Sequence, residues 1–126
     1  MMESQHTWAL VTGSTRGIGT AIALALARKG HNIILHVKGS SKGEADAAMK
    51  EILNEKVQCK YIPADVSSEE SCKKMAEQIR KDCGNVGVLV NNAGIAKDRT
   101  LKKMTPAEWK EVIDTNLGSM YFVTHN

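Results

Sequence analysis

Apolar positions along this chain alternate between short runs and longer stretches in which they recur every three or four residues. The short runs at residues 7–12, 32–37, 57–62 and 86–91 predict four strands. The first run is continuously apolar, which is typical of a strand buried on both faces of a parallel sheet. Each run is followed by a stretch with helical spacing, so the pattern predicts alternating strands and helices.

Turn and cap signals mark the ends of the predicted helices. Gly30 stands where a left-handed cap would end the first helix. Ser67 and Glu70, three residues apart, predict a reciprocal cap at the start of the third helix. Residues 105–108, which read TPAE, predict a second such cap with proline in the first turn of the fourth helix.

This order of elements predicts the fold class. Strands that alternate with helices imply right-handed crossovers and a mainly parallel sheet covered by helices on both faces. We therefore expect a doubly wound, Rossmann-like α/β fold that includes only the N-terminal half of such a sheet. Residues 1–126 are expected to form one partial dinucleotide-binding domain, since no linker interrupts the alternation.

Composition excludes several classes of protein. Hydrophobic residues make up 42% of the chain, but no apolar run approaches the ~20 residues needed to cross a bilayer. The first residues lack the pattern of a signal peptide, which predicts a cytoplasmic protein. A net charge of +3 is too small to indicate nucleic-acid binding. The three cysteines and four histidines lack metal-ligand spacing, so no metal site is expected, and the histidines are expected at the surface or at strand ends.

The turn after the first strand is the main candidate for ligand binding. Residues 12–19 read TGSTRGIG, with glycines spaced G-x-x-x-G-x-G. A strand that turns sharply into a helix presents free N–H groups and the positive end of the helix dipole, and glycines let a pyrophosphate approach closely. The predicted cofactor-binding residues of this turn are Gly13, Ser14, Thr15, Arg16, Gly17, Ile18 and Gly19.

The end of the second strand predicts which dinucleotide binds. Sites for NAD carry an acidic residue there, which accepts the ribose hydroxyl. This chain has Val37, followed by Lys38, and Arg16 lies within the glycine turn. Two cations near the ribose favour the 2′-phosphate of NADPH over NADH. In the alternative interpretation, Lys38 and Arg16 are ordinary solvated charges.

Four motifs, in order and with suitable spacing, resemble the short-chain dehydrogenase/reductase family: residues 12–19, Asp65 with Val66, the run Asn91, Asn92, Ala93 and Gly94, and residues 114–117, which read DTNL. The resemblance implies that Asp65 and Val66 meet the adenine ring. It implies that residues 91–94 support the central strand beside the cofactor ribose. It also implies a catalytic role for Asn116, which would anchor a water in a proton relay.

Residues 95–117 are similar to two groups in that family, the 3-oxoacyl-acyl-carrier-protein reductases and the acetoacetyl-CoA reductases. Both reduce a 3-oxoacyl thioester with NADPH, so the resemblance implies that substrate. It also implies a homo-oligomer in which Trp109 and Met120 contact a partner subunit, or else pack on their own sheet. The basic residues of loop 97–103 could attract an acyl-carrier protein or form a solvated loop.

The family's proton donor is a tyrosine followed four residues later by a lysine. Tyr61 is followed at that distance by Asp65 and Tyr121 by His125, so the chain alone is expected to be inactive. Strand 86–90 is expected to be an apolar sheet edge. Gly87 departs from the acidic residue often found there in the family, which is expected to loosen the strand. A second hypothesis is a non-catalytic dinucleotide-binding module, or one half of a split reductase.

Overall fold

The computed structural model of the protein describes residues 7–39, 42–95, 97 and 99–126. Strands and helices alternate, which confirms the predicted α/β organisation. The elements are β1 (Trp8–Val11), α1 (Gly17–Arg28), β2 (Asn32–Val37), α2 (Lys42–Leu53), β3 (Cys59–Pro63), α3 (Glu69–Asp82), β4 (Val86–Val90), α4 (Pro106–Ile113), a π-helical segment (Asp114–Gly118) and α5 (Ser119–His125).

All strands pair in parallel, in the order β3-β2-β1-β4. Ala9, Val11, Ile33 and Leu35 pack in one apolar cluster with residues of α1 and α2. Leu10 and other residues on the opposite side of the sheet pack with α3 and α5. The sheet is therefore covered on both faces, and the chain changes face after β3, when it crosses to the far side of β1. The doubly wound, Rossmann-like fold is confirmed.

The helix caps follow the sequence with one exception. Thr105 and Glu108 form the predicted capping box of α4. The predicted cap between Ser67 and Glu70 is wrong, because Ser68 caps α3 by accepting the N–H of Ser71 at 3.2 Å. The hydroxyl of Ser67 instead donates to a carboxylate oxygen of Asp65 at 2.6 Å. The main-chain N–H of Ser67 also donates to this oxygen, at 3.1 Å, so Asp65 accepts the N–H that Glu70 would have accepted in the box.

Gly87 lies in a β-bulge. Trp8 pairs with Val86 and Ala9 with Val88, so Gly87 is an extra residue in β4. A Cβ at Gly87 would lie 1.9 Å from Cγ2 of Thr7. The predicted local loosening therefore takes the form of a register shift, and the missing side chain leaves space for Thr7. The position of β4 at the sheet edge agrees with the sequence prediction.

A π-helical segment, which the sequence did not predict, interrupts the last helical stretch. A wider π-helical turn separates α4 from α5, and the hydroxyl of Ser119 donates to the carbonyl of Thr115 inside it. Trp109 and Met120 are 57% and 46% exposed, so they do not pack fully on their own sheet. No helix in the described part of the chain has the length and apolar character needed to cross a membrane.

Candidate functional site

A cleft of about 600 Å³ lies at the carboxyl ends of β1 and β2 and beside the turn after β4. In open α/β sheets, ligands bind outside the carboxyl ends of the strands, where the strand order reverses. Here the order reverses between β1 and β4. The lining residues are Gly13, Thr15, Arg16, Gly17, Ile18, Gly19, His36, Val37, Lys38, Glu44, Asp65, Val66, Asn92, Ala93, Gly94, Ile95 and Thr115.

The N terminus of α1 opens into this cleft without a side-chain cap. Arg16 is the N-cap residue, makes no capping bond, and is followed by a first turn without acidic residues. By contrast, Ser68 caps α3 and Thr105 caps α4, and both helices have acidic residues in the first turn. Among these three helices, α1 therefore has the N terminus suited to an anionic ligand.

Two glycines of the turn are required for different reasons. Gly13 has φ +62°, and a Cβ there would lie 3.0 Å from Cα of Ala93. A Cβ at Gly19 would lie 2.1 Å from the carbonyl oxygen of Gly13 and 2.7 Å from Nδ2 of Asn92. The turn is thus packed directly against the turn after β4, with no room for side chains between them.

Hydrogen bonds join these two turns. The main-chain N–H groups of Asn92 and Ala93 both donate to Oγ1 of Thr12 at 2.9 Å. In addition, Nδ2 of Asn92 donates to the carbonyls of Thr12 and Gly13, each at 3.1 Å. The turn after β4 therefore holds the glycine turn in place.

Two of the predicted cofactor-binding residues do not line the cleft. Ser14 is fully buried, and its hydroxyl accepts the N–H of His36 at 2.9 Å. Asn91 donates through Nδ2 to the hydroxyl of Thr124 on α5 at 3.2 Å. Both residues support elements around the cleft rather than its surface.

Asn116 lies behind the cleft, in the π-helical segment. Its Oδ1 accepts the N–H of Ile95 at 2.7 Å, and its Nδ2 donates to the carbonyl of Ile95 at 2.8 Å. Gly94 is also close, since a Cβ there would lie 3.2 Å from Oδ1 of Asn116. The side chain thus tethers the strand-end turn to the helix. The wider turn of the π-helix places it there.

The predicted cations lie at the mouth of the cleft. Arg16 and Lys38 both line it and both are exposed, whereas Val37 offers no side-chain acceptor. Nζ of Lys38 lies 4.0 Å from a carboxylate oxygen of Asp65. The pKa of Asp65 is lowered, chiefly by the hydrogen bond from the Ser67 hydroxyl and also by the charge of Lys38. The ion pair between Lys38 and Asp65 is therefore long and partly exposed to solvent.

The basic loop pairs in part with α4. Nζ of Lys97 lies 3.7 Å from Glu111, and Nε of Arg99 lies 3.2 Å from Glu108.

Burial raises the pKa of Cys59 to about 12, so that thiol stays protonated at neutral pH. Within the described residues, no group of three or more histidine, cysteine or acidic side chains is arranged to hold a metal ion.

His36 belongs to the site and was not predicted. It lies near the carboxyl end of β2, in agreement with the strand-end alternative, but its side chain is buried rather than at the surface and contacts the main chain of Gly13 and Ala64. One signal was available in the sequence: the position directly precedes Val37, at the carboxyl end of a strand whose neighbour ends in the glycine turn. Glu44, Ile95 and Thr115 also line the cleft without having been predicted.

Known proteins are similar to this chain in sequence and in fold. The short chain dehydrogenase family matches residues 7–126. The 3-oxoacyl-acyl-carrier-protein reductase FabG of Staphylococcus epidermidis is 45% identical over 113 residues, which are 90% of this chain and 46% of that protein. An acetoacetyl-CoA reductase of Paracoccus denitrificans is 41% identical over 117 residues, 93% of this chain and 46% of that protein. The chain spans about half the length of these relatives.

Solved structures agree. An alcohol dehydrogenase from the archaeon Thermococcus sibiricus, complexed with 5-hydroxy-NADP, superposes with a TM-score of 0.88 at 31% identity, covering 96% of this chain and 51% of its own. A double mutant of a Serratia marcescens short-chain dehydrogenase/reductase superposes with a TM-score of 0.89 at 25% identity, covering 96% of this chain and 49% of its own. With the family matched over residues 7–126, the chain belongs to the short-chain dehydrogenase family of oxidoreductases.

Proposed function

We propose that this chain supplies the cofactor-binding half of an NADPH-dependent reductase that converts a 3-oxoacyl thioester to the 3-hydroxyacyl form. The observation that carries the proposal is the uncapped N terminus of α1, which opens into a cleft beside a glycine turn and two cations. Free N–H groups, a helix dipole and positive side chains together suit a ligand with several phosphates.

The cleft residues fit a dinucleotide. In the proposed complex, the pyrophosphate lies against Gly13, Gly17 and Gly19, where a Cβ at the first or third glycine would strike backbone. Asp65 and Val66 meet the adenine ring, and the turn of Asn92, Ala93 and Gly94 lies beside the ribose. When bound, the reduced nicotinamide supplies the hydride.

The proposed preference for NADPH depends on the side chains at the mouth of the cleft. Val37 cannot accept a bond from a ribose hydroxyl, and Arg16 and Lys38 place two positive charges nearby. In the proposed complex, Lys38 leaves its 4.0 Å contact with Asp65 and pairs with the 2′-phosphate, which carries more charge than a carboxylate. The ligand named in the Thermococcus sibiricus structure, 5-hydroxy-NADP, also supports this choice for the family.

The thioester substrate rests on the relatives, which are named as 3-oxoacyl-acyl-carrier-protein and acetoacetyl-CoA reductases. In the reaction, hydride adds to the ketone carbon and a proton to the ketone oxygen. Asn116 anchors the water of the proton relay through its place beside Ile95. This sequence has no tyrosine followed four residues later by lysine, so we propose that the 126-residue chain alone binds nucleotide without turnover.

Two surfaces of this chain suit the proposed partners. Lys102 and Lys103 are exposed on the basic loop, where they can attract an acidic acyl-carrier protein. Trp109, Leu117 and Met120 leave apolar surface exposed on α4, the π-helical segment and α5, where a second subunit would cover it in a homo-oligomer.

A second candidate function is a non-catalytic dinucleotide-binding module, or one half of a split reductase. It is favoured by the residues that follow Tyr61 and Tyr121, neither of which has a lysine in the position needed for proton donation. All of these require nucleotide binding. A second polypeptide would restore chemistry to half of a reductase, including a split one, but not to a non-catalytic module.

The deciding experiment measures NADPH oxidation with acetoacetyl-CoA, first with the purified chain and then after adding a polypeptide that carries the family's Tyr-x-x-x-Lys half. We expect no turnover by the chain alone and turnover by the mixture. An Asn116→Leu variant in the same mixture should lower the rate. Nucleotide binding that never leads to activity would favour the binding module, and failure to bind either nucleotide would refute both.

A further inference from the structure

His36 connects the glycine turn to the end of β3. Its side chain is 1% exposed. The N–H of Gly13 lies 2.9 Å from Nδ1, and the carbonyl oxygen of Ala64 lies 2.8 Å from Nε2. The main chain of His36 is also held, because Ser14 donates its N–H to the His36 carbonyl and accepts the His36 N–H on its hydroxyl, both at 2.9 Å.

These two contacts determine the protonation state of the ring. A main-chain N–H can only donate, so Nδ1 must present its lone pair to Gly13. A main-chain carbonyl can only accept, so Nε2 must carry the proton that bonds to Ala64. The imidazole is therefore neutral. A second proton on Nδ1 would face the N–H of Gly13, and the bond between strand and turn would become a repulsion between two donors.

Charged side chains of both signs surround the ring. Asp65 follows the bonded Ala64, and its charge favours the imidazolium. Glu44 of α2 lines the same cleft, and so do the cations Arg16 and Lys38, which oppose a further positive charge. Burial outweighs the attraction of Asp65 and lowers the pKa of His36.

We propose that His36 is a positioning residue whose neutral imidazole holds Gly13, the first glycine of the nucleotide turn, so that protonation of His36 releases the turn and weakens dinucleotide binding. This inference rests on the proposed nucleotide-binding function. Gly13 also lies close to the turn after β4, since a Cβ there would be 3.0 Å from Cα of Ala93.

The sign of the pH effect follows from the lowered pKa. Above pH 6.5, His36 is neutral in both folded and unfolded chains and has no effect on the pH dependence. As the pH falls below 6.5, the unfolded chain takes up the proton first, and folding stability declines until the folded-state pKa is passed. Below that folded-state pKa, nucleotide affinity should fall by up to about tenfold per pH unit.

Two uncharged variants separate the two ring contacts. His36→Asn places an amide oxygen near the position of Nδ1, so it keeps an acceptor for Gly13 with no proton to gain. His36→Gln reaches towards Ala64 but lacks the acceptor near Gly13. We expect the Asn variant to bind nucleotide at neutral pH with an affinity within about threefold of that of the wild type. The Gln variant should bind more weakly at every pH.

The experiment measures the dissociation constant of NADP⁺, which is stable in acid, from pH 8 to 4.5 for the 126-residue chain and both variants. Wild-type affinity should fall in acid with a one-proton slope that is absent from both variants. The ligand's own 2′-phosphate also titrates, but equally in all three proteins, and NAD⁺ provides a control without that group. The same slope in all three proteins would overturn the proposal.

Nitrogen-15 NMR of the wild type tests the contact without a ligand. At neutral pH, Nδ1 should show the shift of an unprotonated acceptor and Nε2 that of a protonated donor, and the amide of Gly13 should move with the titration of His36. If the chemical shift of the Gly13 amide does not change as His36 titrates, the proposal is overturned even if nucleotide binds. If the Gly13 amide follows the titration of His36 but no nucleotide binds at any pH, the proposed function and the nucleotide part of this inference are refuted.

Discussion

Asn92 donates two hydrogen bonds to Thr12 and so joins two turns that lie 80 positions apart in the chain. The N–H of Asn92 donates to the hydroxyl oxygen of Thr12, and Nδ2 of Asn92 donates to the carbonyl of Thr12. Because Ala93 donates to the same hydroxyl, one side chain satisfies two main-chain donors. The geometry of the glycine turn therefore depends on Thr12, a buried residue that does not line the cleft.

Replacement of Thr12 tests this clamp. Thr12→Val keeps the shape of the side chain but removes the acceptor for the N–H groups of Asn92 and Ala93. Each buried donor left without a partner costs about 1–3 kcal/mol, so we expect a loss of roughly 2 kcal/mol or more in the free energy of unfolding. Thr12→Ser keeps the hydroxyl and should lose only about 1 kcal/mol. Urea denaturation measures both, and equal stabilities of the two variants would contradict the clamp.

A methyl group at Gly19 should distort the turn. Its Cβ would lie 2.1 Å from the carbonyl oxygen of Gly13, which belongs to the backbone and cannot move cheaply. We expect Gly19→Ala to lower the free energy of unfolding by about 1–3 kcal/mol or more and to weaken nucleotide binding.

Gly43→Ala on α2 is the matched control for that change. A Cβ at Gly43 would meet nothing within 4 Å. Helix propensity should make that variant more stable by up to about 1 kcal/mol. Thermal unfolding and NADP⁺ titration of both proteins compare the sites, and a Gly19→Ala protein as stable as the wild type would refute the packing argument.

Periodicity predicted the sheet because a strand covered on both faces is apolar along its length, as β1 is throughout and β2 is apart from Asn32 and His36. Two features were predicted wrongly or missed, each for a different physical reason. Ser67 bonds to Asp65 instead of to the helix, and the sequence rules for helix caps do not take such a competing acceptor into account. His36 was missed because its partners, Gly13 and Ala64, lie 23 and 28 positions away.

The site could be predicted where the residue types of a motif by themselves imply a geometry. Glycines at a strand-to-helix turn indicate a close approach, and the structure provides it at Gly13 and Gly19. The supporting role of Asn91 could not be predicted in this way, since its contact with Thr124 depends on how α5 packs after an unexpected π-helical turn.

The bulge at Gly87 predicts a specific coupling with Thr7. Gly87→Ala would bring Cβ to 1.9 Å from Cγ2 of Thr7, whereas Cβ of Thr7 is 3.4 Å away. We expect the single variant to lose about 1 kcal/mol or more, and a Thr7→Ala background to restore most of that loss. A double-mutant cycle of unfolding free energies measures the coupling, and strictly additive effects would show that Thr7 does not restrict this position.

Lys38 should control the choice of nucleotide. Lys38→Asp replaces an attraction for the 2′-phosphate by a repulsion, so the ratio of NADPH to NADH affinity should fall by about tenfold or more. Lys29→Asp makes the same change of charge at the far end of α1 and should leave the ratio unchanged. Calorimetric titrations of both nucleotides test this, and an unaltered ratio in the Lys38 variant would defeat the assignment.

The central claim is that a dinucleotide binds at the uncapped N terminus of α1. The most direct measurement follows main-chain amide shifts of the 126-residue chain during titration with NADPH. We predict the largest shifts at Gly17, Ile18 and Gly19, with little change at the capped first turns represented by Ser71 and Glu108. Shifts that are absent, or as large at the capped helices as at α1, would contradict the account.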